Sequence, residues 1–260
     1  MVVTQTLSHL APTKELTYPP EVYRAESARW SRFWTTWFPY IVAVAMIFIA
    51  WLAPEFMAKW LVSETTGIVE FLHALIPLII AFIALLMLLR PSLRAEHLRT
   101  VWCVALVLGG VWLAGEEASW GQHYLDWVTP EGWSRLNDQG ETNFHNVSHW
   151  LDQKPRLILV TGIAVTGIFM PYILLHRPGW LPRSFDFTYA PLALVPLAIL
   201  VVLSGFYDEA ADAYGPKVMK SLRGGEFQEL FIVWYLLAYT LTLRERADLI
   251  ETDWQTAAKS

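Results

Sequence analysis

The hydrophobic positions of this 260-residue chain gather into six runs bounded by charged residues, and the lengths of those runs carry most of the information. Residues 33–54 (22 residues), 71–89 (19), 157–175 (19) and 187–207 (21) each come close to a spanning length. A helix needs roughly 20 apolar residues to cross a hydrocarbon core of about 30 Å. Residues 100–115 (16) and 230–243 (14) fall short, and at about 1.5 Å per residue they reach only about 24 and 21 Å. Both must take in polar residues to complete a crossing. The pattern predicts an all-α integral membrane protein: a six-helix transmembrane bundle with a helical extracytoplasmic loop between spans three and four.

The same pattern divides the chain into three regions. Residues 1–32 form a cytoplasmic lead ending in an interfacial helix, which starts near Glu21 and mixes Arg with Trp and Phe at helical spacing. Residues 33–243 form the six-span domain, with its long extracytoplasmic loop at about 120–156, and residues 244–260 form a cytoplasmic tail. The N-terminus lacks the short apolar core and small-residue cleavage site of a signal peptide.

Composition sharpens this picture. Hydrophobic residues make up 55% of the chain and charged ones 17%, against about 25% charged in a soluble domain, so the lipid bilayer is the expected surrounding. A net charge of −5 and a pI near 5.8 exclude a nucleic-acid partner. The single cysteine, Cys103, excludes an internal disulfide framework and is expected to pack inertly against lipid. Lys and Arg count 12 on the side holding both termini and 7 on the other. The positive-inside rule therefore places both termini in the cytoplasm, and the expected location is the cell inner membrane as a multi-pass protein.

Candidate chemistry comes from the two short spans. Span three must run on through Glu116 and Glu117, and span six must begin near Gly224 or Gly225, so that it includes Glu226 and Glu229. Span five ends at the same membrane side with Asp208 and Glu209. Ionisable groups at this depth are costly and usually face the bundle interior. In the loop, Thr129-Pro130-Glu131 reads as the start of a short helix. A second helix is expected from Glu141, placing Glu141, His145 and His149 on one stripe. Such Glu and His sets hold zinc, manganese or iron, with His145, His149, Glu141 and Glu117 as the expected ligands. Glu116, Glu117, Glu141 and Glu226 are the expected catalytic carboxylates. Gln122, Asn143 and Asn146 are supporting polar groups, His123 is a further ligand candidate, and Ser119 reads as a small residue at a helix contact. His73, three residues inside span two, reads first as a packing or hydrogen-bonding histidine, with a metal-ligand role as the lesser alternative.

The run Glu116-Glu117-Ala118-Ser119-Trp120-Gly121-Gln122, followed by Gln139-Gly140-Glu141-Thr142-Asn143-Phe144-His145-Asn146, resembles the paired signature of a family of bacterial polytopic membrane proteins. The resemblance covers about 30 residues of motif and implies the six-span fold without naming a reaction. A second likeness is to the intramembrane glutamate proteases of the CAAX-processing type, which also use a Glu-Glu pair on one span with His on others. This chain departs from them in having Gly121 where their first motif has Arg, and its His pair in a loop.

Two classes of function follow. One is a metal-dependent hydrolase or lipid-modifying enzyme at the outer leaflet, taking a lipid-like or membrane-bound substrate, with a glutamate-type peptidase as its variant. The other is a non-catalytic accessory subunit with a protein partner, or an ion-coupled carrier, in which the acids are buried for binding or support.

Overall fold

The computed structural model describes residues 32–63, 67–125, 127–135, 142–144, 149–214 and 224–258, and every regular element among them is helical. Six long helices follow one another. They are α1 (Phe33–Leu52), α2 (Ile68–Leu88), α3 (His97–Glu117), α4 (His149–Ala164, continued by Val165–Phe169 and Met170–His176), α5 (Val195–Tyr214) and α6 (Gly224–Ala257). Phe33–Leu52, Ile68–Leu88, His97–Glu117 and Lys154–His176 are long and apolar enough to cross a membrane. The apolar part of α5, Leu192–Tyr207, is shorter.

Local chemistry sets the boundaries. Ala53 takes an extended φ of −142° before Pro54 and ends α1, since the proline ring disfavours helical geometry in the residue before it. The Glu96 carboxylate accepts from the backbone N–H groups of Leu98 and Arg99 at 3.3 and 3.1 Å and so caps the start of α3. Helix α3 then runs unbroken to Glu117, and α6 opens at Gly224. Helix α3 thus takes in its acids and reaches a spanning length, while α6 begins ahead of its apolar run with Glu226 and Glu229 inside it.

Helix α2 packs along both α3 and α6, and α5 packs along α6 and α4. The α2 and α3 backbones approach closely at Gly110, where a Cβ would stand 2.6 Å from the Pro77 carbonyl oxygen and 3.0 Å from the Ala81 Cβ. Small residues at such crossings let dispersion contacts hold helices together where lipid gives no hydrophobic drive. Met87, Cys103, Leu197, Phe231 and Leu243 fill the shared core, while Ile41, Val44, Phe48 and Trp51 leave the outer face of α1 exposed and apolar.

Four expectations need correction. Helix α5 starts at Val195 instead of 187; before it come two 3-10 turns, Arg183–Thr188 and Leu192–Leu194. Side chains of α6 satisfy the backbone there: Arg246 donates through Nη1 to the carbonyls of Phe187 and Tyr189 at 2.7 Å, and the Tyr239 hydroxyl donates to that of Thr188 at 2.5 Å. These bonds remove the need for a helix ladder. Cys103 is fully buried between helices instead of facing lipid. The first loop helix begins one residue later than its sequence signal, at Glu131–Ser134, because Pro130 keeps an extended ψ of 141° and its carbonyl accepts the first helical bonds, from Trp133 and Ser134. Thr142, Asn143 and Phe144 are not helical, so the helix expected from Glu141 does not run through them; their backbone and side chains bond instead to the end of α3, and helix resumes at His149. Most of the interfacial helix expected before Trp37 lies outside the described residues.

Candidate metal centre

Glu70 and His73 lie three residues apart on α2, a spacing that puts both on one helix face. Helix α3 delivers Glu117 to that face from one side, and α6 delivers Glu226 and Glu229, again three apart, from the other. His73 Nδ1 stands 3.9 Å from Glu117 Oε2, 3.8 Å from Glu226 Oε2 and 3.8 Å from Glu229 Oε2. The imidazole is 1% exposed, and neither ring nitrogen has a hydrogen-bond partner. From α4, Arg156 reaches in and binds Glu229 Oε1 through Nη2 at 2.6 Å, leaving Oε2 aimed at His73.

These separations decide what the arrangement can do. At 3.8–3.9 Å the carboxylates are too far from the imidazole to accept a hydrogen bond. Ligand atoms held about 2.0–2.2 Å from one tetrahedral ion stand about 3.3–3.6 Å apart; within Glu70, His73 and Glu117, and within His73, Glu226 and Glu229, the ligand atoms lie within 4.8 Å of one another, so an inward shift of side chains closes either group on a cation. Carboxylate oxygens with an imidazole nitrogen suit zinc, iron or manganese. The Arg156 bond to Glu229 is the kind of outer support that orients a ligating carboxylate.

Glu116, next to Glu117, does different work. Successive residues of a helix point about 100° apart, and Glu116 turns away from His73 toward the loop. Its Oε1 accepts from Trp120 Nε1 at 2.9 Å, and its Oε2 accepts from the Phe144 backbone N–H at 2.7 Å. Beside it the Asn143 amide donates to Ser119 Oγ at 2.9 Å, both residues being fully buried. Gln122 accepts from the Thr142 N–H at 2.7 Å and donates to the Thr129 hydroxyl at 2.8 Å. The chain makes this turn through Ser119, Trp120 and Gly121 with φ of 45°, 55° and 105°. Two of those three residues are not glycine, and the bonds to Glu116 and Asn143 hold them in a conformation that L-residues rarely adopt. Phe144 then stacks on Trp112 and meets Trp133 edge-on. The two motif segments are therefore one clasp, tying residues 142–144 to the end of α3.

Of the residues singled out in sequence, Glu117, Glu226 and Glu229 come together. Glu116, Gln122, Asn143 and Ser119 form the clasp. Glu141, His145 and Asn146 lie outside the described residues. His123, His149, Asp208 and Glu209 are placed on helices, and their side chains are not among those described. The sequence reading held His73 only as a lesser ligand candidate and passed over Glu70 and Arg156. The available signal was the Glu-x-x-His spacing at the end of span two, level with the acids of spans three and six. Comparison of the chain with protein-family models, with curated proteins and with solved structures finds no match.

Proposed function

We propose that this chain is a six-span enzyme of the cell inner membrane, with both termini cytoplasmic, that holds a divalent metal in its Glu and His cluster and hydrolyses or otherwise modifies a lipid-like or membrane-bound substrate at the outer leaflet. The observation that carries the reading is His73, a buried imidazole with both nitrogens unpaired and three carboxylates drawn up around it. A buried polar group without a partner costs free energy, and apolar packing would meet a purely structural need at less cost. Glu70, His73 and Glu117 serve as ligands, and Glu229, oriented by Arg156, stands with Glu226 beside the set as a proton acceptor. Zinc, manganese or iron in such a set supplies a Lewis acid and a water that ionises near neutral pH. Trp120 and Trp127, both exposed on the clasp side, suit the boundary between headgroup and chain.

Metal analysis of the detergent-purified chain tests this reading. Stoichiometric divalent metal in the native protein, lost in His73→Ala, is the expected result. A native protein that stays metal-free after incubation with zinc, manganese or iron overturns it. The accessory-subunit or carrier reading is favoured by one observation, the clasp itself, because Glu116, Gln122 and Asn143 are fully occupied in holding the fold.

A further inference from the structure

We infer that the segment after α4 holds the headgroup of an anionic phospholipid, seated on Arg177, Trp180 and Arg183. The inference goes beyond the metal reading and is independent of it; it rests on α4 crossing the membrane. Lys154–His176 is long and apolar enough to span, so the residues that follow His176 stand at the level of the headgroups. There the chain folds into the short turn Pro178–Trp180, closed by the Trp180 N–H donating to the Arg177 carbonyl at 3.0 Å. The turn lays the Arg177 guanidinium over the Trp180 ring, 5.5 Å from its centroid. Trp180 is 71% exposed, and Arg177, Arg183 and Phe185 are exposed with it.

Charge, support and shape each point to that occupant. Asp186 is the only acid between residues 176 and 190, and among the described residues neither Arg177 nor Arg183 pairs with a carboxylate. A guanidinium whose flat face lies on an indole keeps its edge free for bidentate bonds to a phosphate. From behind, the Tyr189 hydroxyl donates to the Pro182 carbonyl at 2.7 Å, Arg246 holds the carbonyls of Phe187 and Tyr189, and Leu181 packs against buried Leu174 and Tyr189. The outward side chains therefore stand on a fixed backbone, which lowers the entropy lost when a ligand orders them. Phe169, Tyr172 and His176 fall at i, i+3 and i+7 of α4, so they share one face, and all three are exposed. The Tyr172 and His176 rings stack with centroids 4.3 Å apart. An acyl chain laid along this stripe ends with its phosphate at Arg177. A soluble anion would use the arginines alone and leave the stripe uncovered, whereas a lipid covers both.

The test titrates the full chain in detergent with dioleoyl phosphatidylglycerol or dioleoyl phosphatidylcholine and reads lipid bound per chain by native mass spectrometry. The native chain is expected to take its first phosphatidylglycerol at least about tenfold more tightly than phosphatidylcholine. Arg177→Gln and Arg183→Gln are each expected to weaken phosphatidylglycerol about fivefold and to leave phosphatidylcholine unchanged. Trp180→Leu keeps an apolar side chain but removes the ring under the guanidinium, and is expected to weaken the anionic lipid about two- to fivefold. Arg94→Gln, an equal loss of charge at an exposed position between α2 and α3, serves as the control and is expected to change neither affinity. Equal affinity of the native chain for the two lipids overturns the inference. So does an Arg94→Gln loss as large as that of Arg177→Gln, which would mean general surface charge, or displacement of the lipid by inorganic phosphate in excess, which would mean a site for a soluble anion. The native comparison decides even if a variant fails to fold, and no outcome touches metal content, so this inference and the metal reading fail separately.

Discussion

Glu116 and Glu117 are neighbours in sequence, yet they separate the two tasks of this region. Both Glu116 oxygens accept hydrogen bonds, from Trp120 Nε1 and from the Phe144 N–H, whereas Glu117 Oε2 faces His73. Glu116→Gln keeps the shape but replaces one acceptor with a donor, so one of those two bonds is lost and a donor is left facing a donor. The expected outcome is a loss of about 1–3 kcal/mol in unfolding free energy in detergent, with metal content unchanged. Glu117→Gln reverses the pattern: metal is lost and the unfolding midpoint of the metal-free protein stays within a few degrees. Were Glu116→Gln to lose metal at unchanged stability, the assignment of clasp and centre would be the wrong way round. At this scale the sequence was half legible. It placed Glu117, Glu226 and Glu229 at one depth, because depth follows from counting apolar residues. It ranked His73 only as a lesser ligand candidate, because a single histidine inside an apolar run carries no partner in its own sequence; the partners arrive from helices 40 and more residues away.

Among the elements, helix length was read well and helix beginnings less so. The continuation of α3 through Glu116 and Glu117 was called for by its 16-residue run, whereas α6 runs 34 residues, past the end expected at 243. The late start of α5 was hidden because Arg246, Tyr239 and the carbonyls they bind lie some 50 to 60 residues apart in sequence. The fit of α2 on α3 makes a sharp prediction. Gly110→Ala puts a Cβ 2.6 Å from the Pro77 carbonyl oxygen, a backbone atom that cannot swing aside, so the helices must part. The expected cost is about 1–3 kcal/mol, with weakened metal binding because Glu70 and His73 move away from Glu117. Gly109→Ala has open space and serves as the control; equal thermal midpoints for the two variants would count against the close crossing. The far end of α6 docks differently, through Ser92 donating to Glu251 Oε2 at 2.5 Å and Arg90 pairing with Asp248 at 2.6 Å. The Ser92 hydroxyl, with help from Gln255, holds the Glu251 carboxyl below its ordinary value of 4.5. A depressed folded value means that the docking contributes above the ordinary carboxylate range and is lost as pH falls through the folded value. In Ser92→Ala, amide protection along 248–257 is expected to fail at a higher pH than in the native chain. Hydrogen exchange across pH 3–6 reads this directly, and an unchanged profile would remove Ser92 from the account.

For the whole molecule the proposed orientation, with both termini cytoplasmic, rests on charge. The charge count of 12 against 7 includes two residues that the fold uses internally, Arg246 under the turns before α5 and Arg156 at the centre. Setting both aside leaves 11 against 6, so the bias toward cytoplasmic termini survives. Helix α6 is long: 34 residues extend about 51 Å, against a core of about 30 Å, and its far part carries Asp248 and Trp254 away from the Glu and His cluster. The chain also supplies its own clean background for a labelling experiment. Its one cysteine, Cys103, is fully buried and so closed to a charged maleimide. Gly132, in the loop beyond α3, has open space where a side chain would grow, and Trp254 on the extension of α6 is about half exposed. With Gly132→Cys the reagent is expected to label intact cells at once, as the proposed orientation, with the loop and clasp outward, requires. With Trp254→Cys it is expected to label only after the membrane is opened. The opposite pair of results would put the Glu and His cluster on the cytoplasmic leaflet and move the proposed substrate with it, while a label on both sites in intact cells would mean that the helices do not span as six.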